Sequence, residues 1–201
     1  PMSKSPCGAG VRHGRFRCLV VAALAAWALT GALPGVAEAG TRFSEPAVFD
    51  YQADGAFSNA ALVVGADGAF YGTAEMGGEH GHGTVFRFVP GEGIRAVHHF
   101  KNTEGRAPRA GLLRLADGSL WGVASKGGRN GKGTIFRFTP DDGTLKAVHA
   151  FDGVDGEYPL AGLTQARDGW LYGATAGLTD AYAGSAFRID PASHRFELLH
   201  R

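Results

Sequence analysis

The feature that most constrains this chain is one unit written three times. Ala66-Asp67-Gly68-Ala69-Phe70-Tyr71-Gly72 matches Ala116-Asp117-Gly118-Ser119-Leu120-Trp121-Gly122 and Arg167-Asp168-Gly169-Trp170-Leu171-Tyr172-Gly173. Gly83-Thr84-Val85-Phe86-Arg87-Phe88 returns as Gly133-Thr134-Ile135-Phe136-Arg137-Phe138 and as Gly184-Ser185-Ala186-Phe187-Arg188-Ile189. Ala96-Val97-His98 returns as Ala147-Val148-His149 and Leu198-Leu199-His200. The offsets are 50 and 51 residues, so the copies stay in register. A unit repeated at this period points to a solenoid, propeller or array, because a single unit cannot bury its apolar face alone.

The middle copy shows what the unit is. Four apolar-rich segments, Gly111–Leu115, Ser119–Ala124, Gly133–Thr139 and Thr144–Phe151, are separated by turn chemistry. Asp117-Gly118 suits a two-residue type I′ hairpin, since Gly accepts positive φ without steric cost. Pro140-Asp141-Asp142-Gly143 forces the other tight reversal, while 125–132 is a longer, Gly-rich connection. Thr134, Phe136 and Phe138 alternate with Ile135 and Arg137, the period of a strand. The expected fold is all-β: tandem four-stranded antiparallel blades of β-propeller type, in units near 60–100, 110–151 and 161–201, with an extra strand near 47–51. Phe49 falls where Phe100 and Phe151 fall. The glycines after each second-strand aromatic (Gly72, Gly122, Gly173) are read as sites of close backbone approach.

The N-terminal segment is read separately. Arg12, Arg15 and Arg17 precede an apolar run, 18–33, followed by Pro34-Gly35 and Ala37-Glu38-Ala39. That is the build of a secretory signal peptide over 1–39, cut after Ala39, with an apolar run shorter than a membrane span needs. The expected location is secreted, extracellular, periplasmic or at the cell surface, with no transmembrane segment after cleavage. Both cysteines, Cys7 and Cys18, precede the cut, so residues 40–201 have no thiol chemistry. The same residues carry 16 basic and 18 acidic side chains, a net charge of −2. That balance argues against nucleic acid as a partner.

Closed propellers use about 4–8 blades, and three copies are present. A section of a longer propeller, a homo-oligomer completing a ring, and an open three-sheet array all fit. Uncovered terminal faces favour the section, because exposed apolar sheet faces associate.

The combined pattern is D-G-x-[LF]-[YW]-G, a Gly-rich gap, G-[TS]-x-F-R-[FI], a Pro or Gly turn and A-V-H-x-F, with D-G-x-Y-P in the last linker. It resembles the GloVer tandem repeat over roughly 47–201. The resemblance implies a secreted or surface-attached bacterial protein with a propeller-like fold, from a family whose members end in different cell-surface anchors. It implies no particular activity. The third copy departs from the pattern, lacking at 176–183 the Gly-Gly of 77–78 and 127–128.

Strand alternation puts the Asp-Gly and Pro/Gly turns at one end of every blade. The long loops (74–82, 124–132, 175–183) and the linkers (50–59, 101–109, 152–160) lie at the other end, where the copies differ. Candidate ligand-binding residues there are Glu79, His80, His82, Arg129, Lys132, Asp155, Glu157, Asp180 and Tyr182. Glu79-His80-Gly81-His82 offers metal-ligand chemistry, but a zinc site needs three or four convergent ligands, so no metal is assigned. Asp152, Asp155 and Glu157 place three carboxylates in six residues, which makes calcium the one alternative to an absence of cofactors. Their counterparts at 50–55 and 101–106 are read as not keeping that charge. His98, His149 and His200 recur once per copy and are read as packing residues.

No G-x-S-x-G, H-E-x-x-H or phosphate-binding glycine loop occurs, and the catalytic residues are unknown. The expectation is a non-enzymatic module for adhesion or for binding a glycan or protein through the long-loop end. The alternative is a carbohydrate-active hydrolase or lyase drawing its acid and base from Glu75, Glu79, Glu104, Asp155, Glu157 and Asp180, for which paired carboxylates about 5–9.5 Å apart would be needed.

Overall fold

The computed structural model describes residues 48–177 and 184–201. The signal-peptide reading and the site candidates Asp180 and Tyr182 lie outside these residues. Among the described residues there are twelve strands and no helix, in three antiparallel sheets of four. The first sheet holds β1 (Val63–Val64), β2 (Phe70–Ala74), β3 (Thr84–Val89) and β4 (Gly93–His99). The second holds β5 (Leu113–Arg114), β6 (Leu120–Ala124), β7 (Thr134–Thr139) and β8 (Thr144–Ala150), and the third β9 (Thr164–Gln165), β10 (Leu171–Ala174), β11 (Ala186–Ile189) and β12 (Phe196–His200). Each sheet is a meander with its strands in sequence order. The three copies are therefore three blades, as the repeat predicts.

Three expectations are corrected. The Asp-Gly turn is not a two-residue type I′ hairpin. Leu115 N–H donates to Ser119 O and Gly118 N–H to Leu115 O, which leaves a three-residue loop. Gly118 has φ of 83° and Asp117 is not among the positive-φ residues. This is a type I turn closed by a left-handed glycine, and the Asp117 side chain stabilises it by accepting Ser119 N–H at 3.0 Å. Next, no strand forms at 48–51, where the chain enters a turn closed by Asp54 N–H on Asp50 O. Finally, the second-strand glycines make room for a side chain rather than for backbone. A Cβ on Gly122 would lie 2.5 Å from Phe136 Cζ and 2.9 Å from Leu112 Cδ2. Gly72 and Gly173 meet Phe86 and Phe187 in the same way, each being the direct cross-strand partner of its phenylalanine.

The core lies between sheets. Tyr71, Val85 and Phe100 of the first blade cluster with Leu112, Leu120, Phe136 and Phe138 of the second. Trp121, Val123, Ile135 and Phe151 of the second cluster with Leu163, Leu171, Phe187 and Ile189 of the third. Period-2 alternation thus gives every sheet two apolar faces, a forward face toward the next blade and a rear face toward the one before. One contact fixes the stacking. The phenylalanine closing each fourth strand sets its edge against the third-strand phenylalanine of the next blade, as Phe100–Phe136 (5.1 Å, 75°) and Phe151–Phe187 (5.3 Å, 62°). Phe49 does the same to Phe86 (4.9 Å, 88°) without belonging to a strand.

Two substitutions test this packing by urea denaturation. Phe100→Ala is expected to cost about 3–5 kcal/mol, the range for a buried aromatic truncated to Ala. Gly122→Ala, a change toward higher strand propensity, is expected to destabilise by about 1–3 kcal/mol because its methyl overpacks against Phe136. A neutral Gly122→Ala would show that the ring does not depend on that space.

Candidate functional site

The two ends of the blades differ in what they repeat. At the short-turn end the same lattice occurs in every copy. Asp67 accepts Tyr71 Oη at 3.1 Å and Arg87 Nε at 2.9 Å. In the second blade Arg137 Nη2 reaches Asp117 at 3.1 Å, and Trp121 Nε1 donates to Ser119 Oγ, which donates to Asp117 at 2.6 Å. In the third, Tyr172 Oη donates to Asp168 at 2.8 Å, and Arg188 lies over the Trp170 ring, 4.3 Å from its centroid. The Asp-Gly motif is thus a structural clasp that ties the hairpin to the second and third strands.

These carboxylates sit below their ordinary range. For Asp117 the Ser119 hydroxyl is the main cause, opposed by partial burial and assisted by Ser119 N–H and Arg137. For Asp168 it is the Tyr172 hydroxyl. At Asp67 burial pushes upward most strongly, and the bonds from Arg87, Ala69 N–H and Tyr71 together outweigh it.

The long-loop end holds a different set of bonds. Thr84, Thr134 and Ser185 hydroxyls donate to the carbonyls of Asp54, Glu104 and Asp155 at 2.6, 2.7 and 2.9 Å. The next residue is in each case a positive-φ glycine, at 55, 105 and 156. Two residues beyond it, Phe57, Ala107 and Tyr158 adopt positive φ of 53–61° without being glycine. That conformation is strained for an ordinary side chain. It is held by backbone bonds on both sides: Ala107 N–H to His82 O and Ser125 N–H to Ala107 O, then Tyr158 N–H to Lys132 O and Ala176 N–H to Tyr158 O.

On this frame the candidates separate into two groups. Glu79, His80 and Arg129 are exposed at loop tips, and Glu79 N–H donates to His99 Nδ1 at 3.2 Å. The others are engaged with the scaffold. His82 is half-buried and its carbonyl latches the first linker. Lys132 ion-pairs with Glu157, which is only 3% exposed. Asp155 takes His149 Nε2 at 2.7 Å and Asp152 N–H at 2.9 Å, and Asp152 accepts the Val154 and Asp155 N–H groups. Asp152 and Asp155 therefore shape a turn. Among the described residues no group of three or more His, Cys, Asp or Glu is placed to hold a metal ion.

The other linkers do not keep three carboxylates, but each has one acid at the position of Asp155. Glu104 takes His98 Nε2 at 3.0 Å and Lys101 N–H at 3.0 Å, and Asp54 takes Asp50 N–H at 3.1 Å and Ala96 N–H at 3.3 Å. The first linker is one residue longer between Phe49 and Gly55 than the others are between their Phe and Gly. His98 and His149 are packing residues: their rings meet Phe100 and Phe151 edge-on, and His149 also stacks on Phe196 at 3.9 Å.

The structure adds residues that no motif singled out. Arg109 clamps Glu75 with contacts of 2.6 and 2.8 Å across 34 positions of sequence. Tyr51, Gln52, Arg95 and His99 join Asp54 and Glu79 around an open groove of about 720 Å³ on the first blade. The available signal for Arg109 was that its repeat partners, Asn59 and Leu160, carry no charge.

The family model described as Gloeobacter/Verrucomicrobia repeat matches residues 28–201. The chain belongs to this repeat family. As a Gloeobacter/Verrucomicrobia repeat protein it has no match among curated proteins. Among solved structures it is similar to a protein assigned as a gluconolactonase (20% identity, TM-score 0.47, covering 70% of this chain and 48% of that one). It is also similar to a puromycin-hydrolyzing peptidase of Mycobacterium tuberculosis (16%, TM-score 0.45, covering 70% and 20%), and to a protein assigned as TolB from Agrobacterium tumefaciens (15%, TM-score 0.44, covering 74% and 47%). The repeat chain spans less than half the length of each. Among its described residues no helix is long and apolar enough to cross a membrane.

The clasp at Asp117 makes a pH prediction. Its folded pKa is depressed, so its stabilisation is present above the unfolded value of about 4 and is lost as pH falls through the folded value. Asp117→Asn is expected to cost about 1 kcal/mol at neutral pH, a charged hydrogen bond discounted for solvent screening of a half-exposed side chain. Urea midpoints measured across pH should show that gap closing below about pH 4. A pH-independent gap would mean that the carboxylate charge is irrelevant.

Proposed function

We propose that this repeat module is secreted and non-enzymatic, and that it binds an extracellular glycan across the long-loop end of its blades. The observation that carries the reading is the groove on the first blade. The exposed Tyr51 ring stands beside Gln52, Glu79, Arg95 and His99 in an open space of about 720 Å³. An exposed aromatic offers a stacking face for a sugar ring, and the amide, carboxylate and guanidinium can bond its hydroxyls. Four of the six carboxylates that a hydrolase would draw on have other partners: Glu75 with Arg109, Glu104 with His98, Asp155 with His149 and Glu157 with Lys132. Secretion rests on the basic and apolar segments of the N-terminus.

Retention of the purified protein on immobilised polysaccharides and cell-wall glycans tests the reading. Tyr51→Ala and Arg95→Ala are expected to weaken binding by about tenfold, equivalent to about 1.4 kcal/mol. Asp141→Lys, at the short-turn end, is expected to leave it unchanged. Loss of binding in Asp141→Lys alone, or release of new reducing ends from a glycan by the wild type, would overturn the proposal. Retention on surface proteins with none on glycans would make the partner a protein.

A further inference from the structure

Where the long loop of the second blade meets its linker, two cations are set directly opposite each other. Arg106 N–H donates to Lys126 O at 2.7 Å, and Lys126 N–H donates to Arg106 O at 3.1 Å. The two residues therefore form one doubly bonded antiparallel pair, with their side chains on the same side. Like charges in that arrangement repel. The first blade makes the same bridge from Ala56 and Met76, with bonds of 2.8 and 3.1 Å. The third has Glu157 and Gly177 at these positions. The bridge forms without charge, so the opposed cations are an addition that the backbone does not need.

Two more cations adjoin the pair. Asn102 O accepts Gly128 N–H at 2.7 Å, and Lys101 and Arg129 flank those two residues in the chain. Arg129 stands where the first blade has Glu79. Lys101, Arg106 and Arg129 are exposed, and Lys126 is half-buried. Gly127 lays the loop flat on the linker: a Cβ there would fall 2.8 Å from Asn102 O and 2.9 Å from Arg106 N. The backbone carrying the four charges is thus fixed before any ligand arrives. Among the described residues none of the four side chains is ion-paired. Carboxylates of this end are already taken, Glu104 by His98 and Lys101 N–H, Glu157 by Lys132, and Glu75 by Arg109. The second blade has a neighbour on each side, so this exposure belongs to the long-loop end itself.

We infer that this patch binds the carboxylate or sulfate groups of an acidic polysaccharide. The inference rests on the reading that a glycan binds at the long-loop end, and adds the charge of that glycan. Arg106 and Arg129 can each grip an oxyanion with two parallel N–H bonds, while Lys101 and Lys126 act as point charges. The opposed pair is what selects an anion. A ligand oxygen shared by Arg106 and Lys126 replaces their mutual repulsion with attraction to a common counter-charge. A nucleic acid fits less well, because the patch is local and residues 40–201 carry a net charge of −2.

Retention of the full chain on immobilised polygalacturonate, dextran sulfate and neutral dextran tests this. The wild type is expected to bind at least one of the two acidic polymers about tenfold or more tighter than neutral dextran. Which of the two it prefers separates carboxylate from sulfate. Raising NaCl from about 50 to 500 mM should release it, since exposed charges are screened. Arg106→Ala combined with Lys126→Met copies the pair that the first blade already uses, so this variant should fold, with a urea midpoint unchanged or raised. It is expected to lose about tenfold in affinity for the acidic polymers, whereas Tyr51→Ala should leave the preference for acidic over neutral polymer intact. Equal retention on acidic and neutral polymers would overturn the inference, as would a double variant that binds like the wild type; both leave the glycan reading standing. Absence of retention on any glycan would sink the two together. Duplex DNA bound as tightly as the acidic polymers would also overturn the inference, by showing a surface for polyanions of any kind.

Discussion

The structure depends on one phenylalanine in each blade and on the two things that hold it. Phe136 fills the space that Gly122 leaves by lacking a Cβ, 2.5 Å from where that atom would be, and receives the edge of Phe100 from the blade before. The first contact ties the second strand to the third within a sheet, and the other ties one sheet to the next. A glycine inside a strand weakens it when taken alone. Here the opposite ring covers it, and the sheet becomes thin enough for its neighbour to approach. A Cβ at 122 would act on both contacts at once, so the glycine is as fixed by packing as the ring is.

From this constraint the rest of the blade can be ordered. The Phe contact sits between sheets, so the linkers must deliver each chain to its next first strand at one depth. They do so with a hydroxyl-to-carbonyl bond, a positive-φ glycine and a strained ordinary residue, repeated at Gly55 and Phe57, Gly105 and Ala107, Gly156 and Tyr158. The His98–Glu104 and His149–Asp155 pairs brace the same linkers from the fourth strand. At the opposite end the Asp-Gly turn is braced by arginine and an aromatic hydroxyl or indole. Each blade is therefore pinned at both ends by polar contacts and in the middle by aromatic ones.

Much of this was legible in the sequence, and the misses have physical causes. The three blades followed from register and alternation, because both are local and repeated; in the middle copy the second, third and fourth strands match to within a residue, whereas the first, expected over 111–115, forms only at Leu113–Arg114. The turn type was misread because Asp-Gly serves both a two-residue loop and a three-residue one, and the choice depends on which residue pairs with Leu115. The role of Gly122 was misread because the ring that fills its space comes from a residue fourteen positions away on the partner strand. Glu104 and Asp54 stand at the position of Asp155, and their bracing role was not legible because their partners, His98 and Ala96 N–H, lie on the fourth strand. At the candidate site, Glu79, His80 and Arg129 are exposed at loop tips. Lys132, Asp155 and Glu157 were recognised as charged but not as mutually or locally paired, since pairing is set by loops that periodicity does not describe.

What breaks the repeat carries the remaining information. Glu75 faces Arg109, yet the same position holds Ser125 and Ala176 in the other blades. Glu157, almost wholly buried, is matched by Arg106 and Ala56. The blade therefore forms without these ion pairs. Burying a carboxylate costs several kcal/mol before its partner compensates, and an apolar pair of similar volume is often as stable. Stability alone does not account for placing them here. Both pairs join a long loop or its root to the following linker, at the end of the blades where the exposed side chains also differ between copies. The short-turn end repeats its Asp-Gly clasp three times, with the aromatic partner and the arginine's contacts varied. The long-loop end is where three similar blades come to differ.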